Sequence, residues 1–169
     1  VQRLQQVAYQ DALLGIANRT RLIECIEAAV HSDAAPHLLI LADVDDFNGI
    51  NELMGNPFGD RVLQALTRRL IDSLPTAVLV ARVAGNSFGL FGTADLLQAA
   101  QVQQALDAPL VIDGQPFKVR ASMGSCAGAD LSSSGADALK NASIALKHAK
   151  LQHRGALVCF DSAMAQRSR

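Results

Sequence analysis

The sequence predicts an α+β domain in which one central, mainly antiparallel sheet is flanked by helices. Three observations lead there. Leu38-Leu39-Ile40-Leu41-Ala42 is a continuous apolar run, as expected of a strand buried on both faces. Two Gly-containing turns, Ala84-Gly85-Asn86 and Asp113-Gly114, each lie between apolar runs and predict hairpins, hence antiparallel pairing. Helical periodicity recurs between them, most clearly at Val62, Leu63, Leu66 and Leu70. Half of the 169 residues are hydrophobic and 18% are charged, which suits one domain with a substantial core.

Taken in order, residues 1–10 are Gln-rich with Leu4, Val7 and Ala8 at helical spacing, and predict a linker helix. The segment 13–19 breaks it, and Thr20 is expected to cap a second helix to about Val30, with Glu24 in its opening turns. A strand over His37–Val44 ends in Asp43-Val44-Asp45-Asp46. Phe47, Ile50, Asn51 and Met54 space a short helix, stopped by Gly55-Asn56-Pro57, and a longer helix runs from Gly59 to Ser73. Strands follow over Ala77–Val83 and Ser87–Phe91, then a helix over Leu96–Leu106. Pro109–Ile112 and Gln115–Ser125 form the second hairpin, Ala136–Leu151 the last helix and Ala156–Phe160 a closing strand. The domain is thus expected over 11–160, with a C-terminal linker over 161–169.

Charge and composition exclude several classes. A net charge of −1 provides no electrostatic footprint for nucleic acid and no polybasic membrane patch. No stretch reaches 18 apolar residues, so membrane contact is not expected of this segment. Cys25, Cys126 and Cys159 have no metal-ligand spacing and predict reduced core thiols in the cytoplasm. A start without Met and a polar end read as a piece of something longer.

The chemistry is expected at one end of the sheet. With a right-handed crossover the first two main strands run parallel, so the turn after the second lies beside the exit of the first. That brings Asp43 and Asp45 to Ala84-Gly85-Asn86-Ser87. Carboxylates from those two places could hold Mg²⁺ against a triphosphate, the layout of palm-type nucleotidyl transfer.

From Asp11 to Phe160 the chain resembles a GGDEF domain. Asp11-Ala12-Leu13-Leu14-Gly15-Ile16-Ala17-Asn18-Arg19 is similar to the family's D-x-L-T-G-L-x-N-R, with Leu14 where Thr is usual. Asp43-Val44-Asp45-Asp46-Phe47-Asn48-Gly49-Ile50-Asn51-Glu52 resembles D-I-D-x-F-K-x-I-N-D, and Gly55-Asn56-Pro57-Phe58-Gly59-Asp60 resembles G-H-x-x-G-D. Ala121-Ser122-Met123-Gly124 matches A-S-I-G, and residues 142–150 resemble A-D-x-A-L-Y-x-A-K. The resemblance implies a palm-like, nucleotidyl-cyclase-like fold.

The signature itself departs from the family. Arg82-Val83-Ala84-Gly85-Asn86-Ser87-Phe88 stands where R-x-G-G-D/E-E-F belongs, so Asn86 and Ser87 replace a metal-binding acid and an essential Glu. An amide adds no charge toward a divalent ion, and a hydroxyl takes no proton near neutral pH without an activating base. No catalytic residue and no obligate cofactor are therefore expected. Asn48 replaces the family's phosphate-side Lys, and Pro75-Thr76-Ala77-Val78 occupies the place of the inhibitory R-x-x-D. By the resemblance, Asn51 and Asp60 match the guanine-binding pair, Lys150 and Arg154 the phosphate-contacting cations, and Asp43 a vestigial metal acid.

The resemblance implies a catalytically inactive regulatory module, signal-transmitting or dimerising, in bacterial cyclic di-GMP signalling. Its partners would be adjacent sensor and EAL domains of the same chain, or a second copy. A GTP-binding allosteric domain, with GTP and Mg²⁺ as weak ligands, is the alternative. An active diguanylate cyclase and a ligand-free spacer stand behind these two. Plainer roles exist for the same residues: Asp43, Asp45 and Asp46 as strand-end solvation and helix caps, Asn51 as a surface or capping amide, Asp60 as a first-turn acid, and Lys150 and Arg154 as helix-end cations. Phe47, Phe58 and Phe88 are expected in the core. Ser87 as a nucleophile would need a partner His, and the four histidines lie in unrelated segments.

Overall fold

The apolar run at 38–42 forms the middle of the sheet. In the computed structural model, which describes residues 8–32, 35–131, 134–152 and 155–167 (without the side chains of 129 and 165–167), strand β2 (His37–Val44) pairs antiparallel on both sides. Its neighbours are β4 (Ser87–Thr93) and β7 (Ala121–Ala127). Outside β4 lies β3 (Leu79–Ala84), antiparallel to it, and then the two-residue β1 (Ala17–Asn18), parallel to β3. Outside β7 lies β8 (Leu157–Cys159), parallel to it, so the order is β1-β3-β4-β2-β7-β8. β2 and β3, both antiparallel to β4, run the same way, as the crossover argument requires.

Two helical layers cover the sheet because β2 is apolar on both faces. Ile40, Ala42 and Val44 face a layer built on α3 (Asn56–Ser73) through Val62, Leu63, Leu66 and Leu70. The same layer holds α2 (Phe47–Met54) and α4 (Ala99–Asp107). Leu39 and Leu41 face α1 (Arg19–Val30) and α5 (Gly135–Gln152), through Leu22, Ile26, Ala142 and Leu146. The approach of α5 depends on Gly124: a Cβ there would stand 2.7 Å from Leu146 Cα and nearer still to Leu146 N and Ala142 O.

Several boundaries differ from expectation. The cap of α1 is Asn18, not Thr20: its Oδ1 accepts from Arg21 N at 3.1 Å, which puts Glu24 beyond the first turn. α3 begins at Asn56 rather than Gly59, because Gly55 at φ 91° ends α2 and Pro57 fits the opening turn of the next helix. α4 begins at Ala99, leaving Leu96 in a turn. The run 115–125, expected as one strand, splits into β6 (Gln115–Phe117) and β7. β6 joins β5 (Leu110–Ile112) in a separate two-stranded sheet. Its turn is the Asp113-Gly114 pair at φ 53° and 78°, as its sequence predicts. Arg69 anchors the approach to it, donating to the carbonyls of Ala105, Ala108 and Pro109 at 3.2, 3.0 and 2.8 Å.

At the C-terminus, Ser162–Arg167 forms a short helix, α6, inside the segment expected as linker. At the N-terminus, 1–7 of the expected linker helix lie outside the described residues; Ala8 and Tyr9 are helical and Gln10 bridges to Ala17. Phe88 and Phe58 are buried as expected, whereas Phe47 is only partly so. Cys126 is buried, Cys25 half-buried and Cys159 exposed, so the expectation of three core thiols holds for one. No helix among the described residues is long and apolar enough to cross a membrane.

Candidate functional site

The two ends expected to meet do meet. Asp43 of β2 is the register partner of Ser87 on β4 and of Ser122 on β7. The hairpin tip between β3 and β4 is tied to β2 by Asn86, whose backbone carbonyl accepts from Val44 N at 3.1 Å and whose amide donates to Val44 O at 2.7 Å. Asn86 is therefore oriented along the β2 backbone.

Asp43 lies on the α1/α5 face, opposite Val44, and its side chain is only 11% exposed. Each carboxylate oxygen has a donor: Ser87 Oγ donates to Oδ1 and Lys150 Nζ to Oδ2. Lys150 comes from the last turn of α5, where a cation is welcome, and its side chain is 38% exposed. Asp45 is held separately, accepting from Ser122 Oγ at 2.9 Å on both oxygens, while Ser122 Oγ accepts from Gly155 N at 3.1 Å. Asp46 occupies the N-cap position of α2 at φ 54°, without a side-chain capping bond, so the expected cap role is not met there. Val44, Asp45, Asp46, Asn48, Asn86 and Lys150 line a polar cleft of about 290 Å³.

Next to this cleft, Asn51 packs on Gly59, where any Cβ would overlap its Oδ1. That oxygen is buried and has no hydrogen-bond partner. The contact sets Asn51 against the residue preceding Asp60. Asp60 is exposed and lies in the second turn of α3, so the alternative reading of a first-turn acid fails with the helix start at Asn56. Arg154 lies outside the described residues. No group of three or more His, Cys, Asp or Glu among the described residues is placed to hold a metal ion.

Two residues of the site carried no role in the sequence reading. Ser122, inside the A-S-I-G-like motif, orients Asp45. Arg82 reaches from β3 to Asp11 Oδ2 at 3.3 Å and donates to Gly85 O at 3.0 Å, while Asp11 also accepts from Leu13 N and Leu14 N. The opening motif is thereby linked to the hairpin tip; the pairing of motif residues 71 positions apart has no local signal. Cys126, away from the site, has its thiol pushed up to about 12 by burial and by the charge of Asp130. At the opposite end of the sheet Pro75, Thr76 and Val78 line an apolar cavity of about 550 Å³ with Cys25, His37 and Phe91.

Comparison with known proteins agrees with this geometry. The family model described as "Diguanylate cyclase, GGDEF domain" matches residues 8–156. Diguanylate cyclase DgcP of Pseudomonas aeruginosa is 33% identical over 132 residues, 73% of this chain and 20% of that protein. Cyclic di-GMP phosphodiesterase NbdA of the same organism is 29% identical over 131 residues, 72% of this chain and 16% of that protein. The chain thus spans about a fifth of the length of these relatives, 20% and 16%. Among solved structures, the GGDEF domain of YfiN (TpbB) from Pseudomonas aeruginosa superposes with a TM-score of 0.81 at 24% identity, over 95% of this chain and 99% of that one. With its six-stranded sheet, its facing strand end and hairpin tip, and this match along nearly its whole length, the chain belongs to the GGDEF domain family.

Proposed function

We propose that this chain is a GGDEF domain without cyclase activity, acting as a regulatory module in bacterial cyclic di-GMP signalling. The observation that carries the reading is the Ser87–Asp43–Lys150 cluster, in which the strand-end acid Asp43 is satisfied by a hydroxyl and an ammonium. Magnesium at a triphosphate needs several oxygen ligands with negative charge among them. Here Asn86 and Ser87 are neutral, Asp43 is engaged at both oxygens, and Asp45 is engaged by Ser122. The donor set does not fit the ion. Ser87 donates its proton to Asp43, so its hydroxyl is not positioned to accept one. Loss of a general base alone lowers rates by about 10²–10⁴.

Signal transmission in the cytoplasm, beside a sensor and an EAL domain or a second copy of the chain, is the role proposed. Its support is the likeness to longer relatives, one of them named a cyclic di-GMP phosphodiesterase, and to an "EAL/GGDEF domain protein" from M. capsulatus at 27% identity and TM-score 0.73, over 83% of this chain and 95% of that one. The test is incubation of the purified chain with GTP and Mg²⁺ beside an active cyclase. No cyclic di-GMP is expected by mass spectrometry, and its formation at a rate within about 10²-fold of the control overturns the reading.

A second reading, GTP sensing without turnover, is favoured by the placement of Asn51 against Gly59, the residue preceding the exposed Asp60. Calorimetry with GTP tests it. Heat abolished by Asp60→Ala supports it, and no heat at millimolar nucleotide ends it.

A further inference from the structure

We infer that Asp43 in this chain is an internal competitor for Lys150 rather than a metal ligand. An anionic ligand would then engage Lys150 only by displacing Asp43, and would do so without a divalent cation. The ligand class rests on the nucleotide reading above; the ion-pair exchange itself does not.

The argument begins with charge. A carboxylate at position 87 would stand directly opposite Asp43 in the sheet, and two facing carboxylates at cross-strand distance repel unless a cation lies between them. Ser87 removes that requirement. The cluster that remains holds one carboxylate, one ammonium and one hydroxyl, and is neutral. A divalent cation drawn to Asp43 would have to expel Lys150 and gain one carboxylate, with the neutral Asn86 and Ser87 offered from the hairpin tip. The exchange has no evident driving force.

The same pairing shapes the cleft for anions. Lys150 is the cation among its described lining residues, and Asp45 and Asp46 line the same cleft. While Asp43 holds Lys150, a polyphosphate meets two carboxylates at the wall and an ammonium already matched. Removing the charge of Asp43 releases Lys150 and should favour the same anion. A metal-ligand role for Asp43 predicts the reverse, because loss of a ligand then weakens binding of the metal-bound anion.

The first experiment needs no nucleotide. Limited acetylation of the chain, followed by peptide mass spectrometry, reads the accessibility of Lys150 against the exposed Lys118 and Lys147. Asp43→Asn should raise relative labelling of Lys150 several-fold, and millimolar magnesium chloride should leave the unsubstituted chain unchanged. Labelling of Lys150 that rises with magnesium, or fails to rise in Asp43→Asn, overturns the inference. If the variant folds poorly, the magnesium arm on the unsubstituted chain decides alone. The second experiment titrates tripolyphosphate and GTP in EDTA. Asp43→Asn should bind about 3- to 10-fold more tightly, the scale of one partly exposed ion pair. Binding that requires magnesium and disappears in Asp43→Asn overturns it. Absence of GTP binding by either protein removes the nucleotide reading, while the labelling result still judges the pairing of Asp43 with Lys150.

Discussion

Replacing Lys150 by Met keeps the stem that packs at the end of α5 and removes the ammonium. Asp43 then retains Ser87 as a donor but loses its counter-charge in a setting where its side chain is 11% exposed. Breaking a fully buried pair costs about 3–5 kcal/mol, and an exposed pair about 0–1 kcal/mol. Lys150 is 38% exposed, so solvent screens the pair and the cost should fall between those limits, near ~1.5 kcal/mol. For a domain of this size that is a drop of roughly 3–6 °C in Tm. Asp43→Asn in the Lys150→Met background should recover most of the loss, because the uncompensated charge is then gone and the amide still meets Ser87. Urea unfolding of the four proteins at neutral pH provides the double-mutant cycle. A coupling below about 0.3 kcal/mol, or a double variant less stable than Lys150→Met, refutes the reasoning.

Four further outcomes follow from other parts of the molecule. Gly124→Ala should destabilise the domain by about 1–3 kcal/mol or more, since its Cβ meets the α5 backbone rather than a flexible side chain; a midpoint unchanged in urea contradicts the packing described. Arg82→Ala should cost about 1–2 kcal/mol through the lost Asp11 and Gly85 contacts and speed amide exchange at 84–87; unchanged exchange would separate the opening motif from the tip. Iodoacetamide should label Cys159 first and Cys126 only on unfolding. Because the folded Cys126 thiol is raised from 9.0 to about 12, its stabilising effect is intact below pH 9 and is lost as the pH climbs toward 12. Stability should therefore fall more steeply above pH 9 than in Cys126→Ala, and parallel pH curves would contradict this.

Much of the architecture was legible in the sequence because its signals are local. An eight-residue strand apolar on both faces must lie inside a sheet covered on both sides, and β2 does. Asp113-Gly114 adopts two positive φ angles that those residues tolerate, so the hairpin follows from the dipeptide. The facing of Asp43 and Ser87 also followed, from the crossover rule. What misled the reading was local competition between adequate signals. Asn18 and Thr20 can each cap a helix, and only the bond to Arg21 N decides between them. Residues 115–125 alternate well enough for one strand, yet β5 takes the first part into a separate hairpin and β2 takes the second.

The chemistry divides in the same way. Sequence alone determined that the hairpin tip carries the neutral side chains Asn86 and Ser87, because side-chain charge is a property of the residue itself. It could not determine what Asp43 touches. Lys150 stands 107 positions away and arrives only because Gly124 lets α5 settle onto β7 with its last turn over the end of β2. Ion-pair partners depend on register and helix placement, which are set by the packing of the whole sheet. For that reason the neutral side chains of the tip were readable from the chain, and the pairing of Asp43 with Lys150 was decided by the tertiary structure.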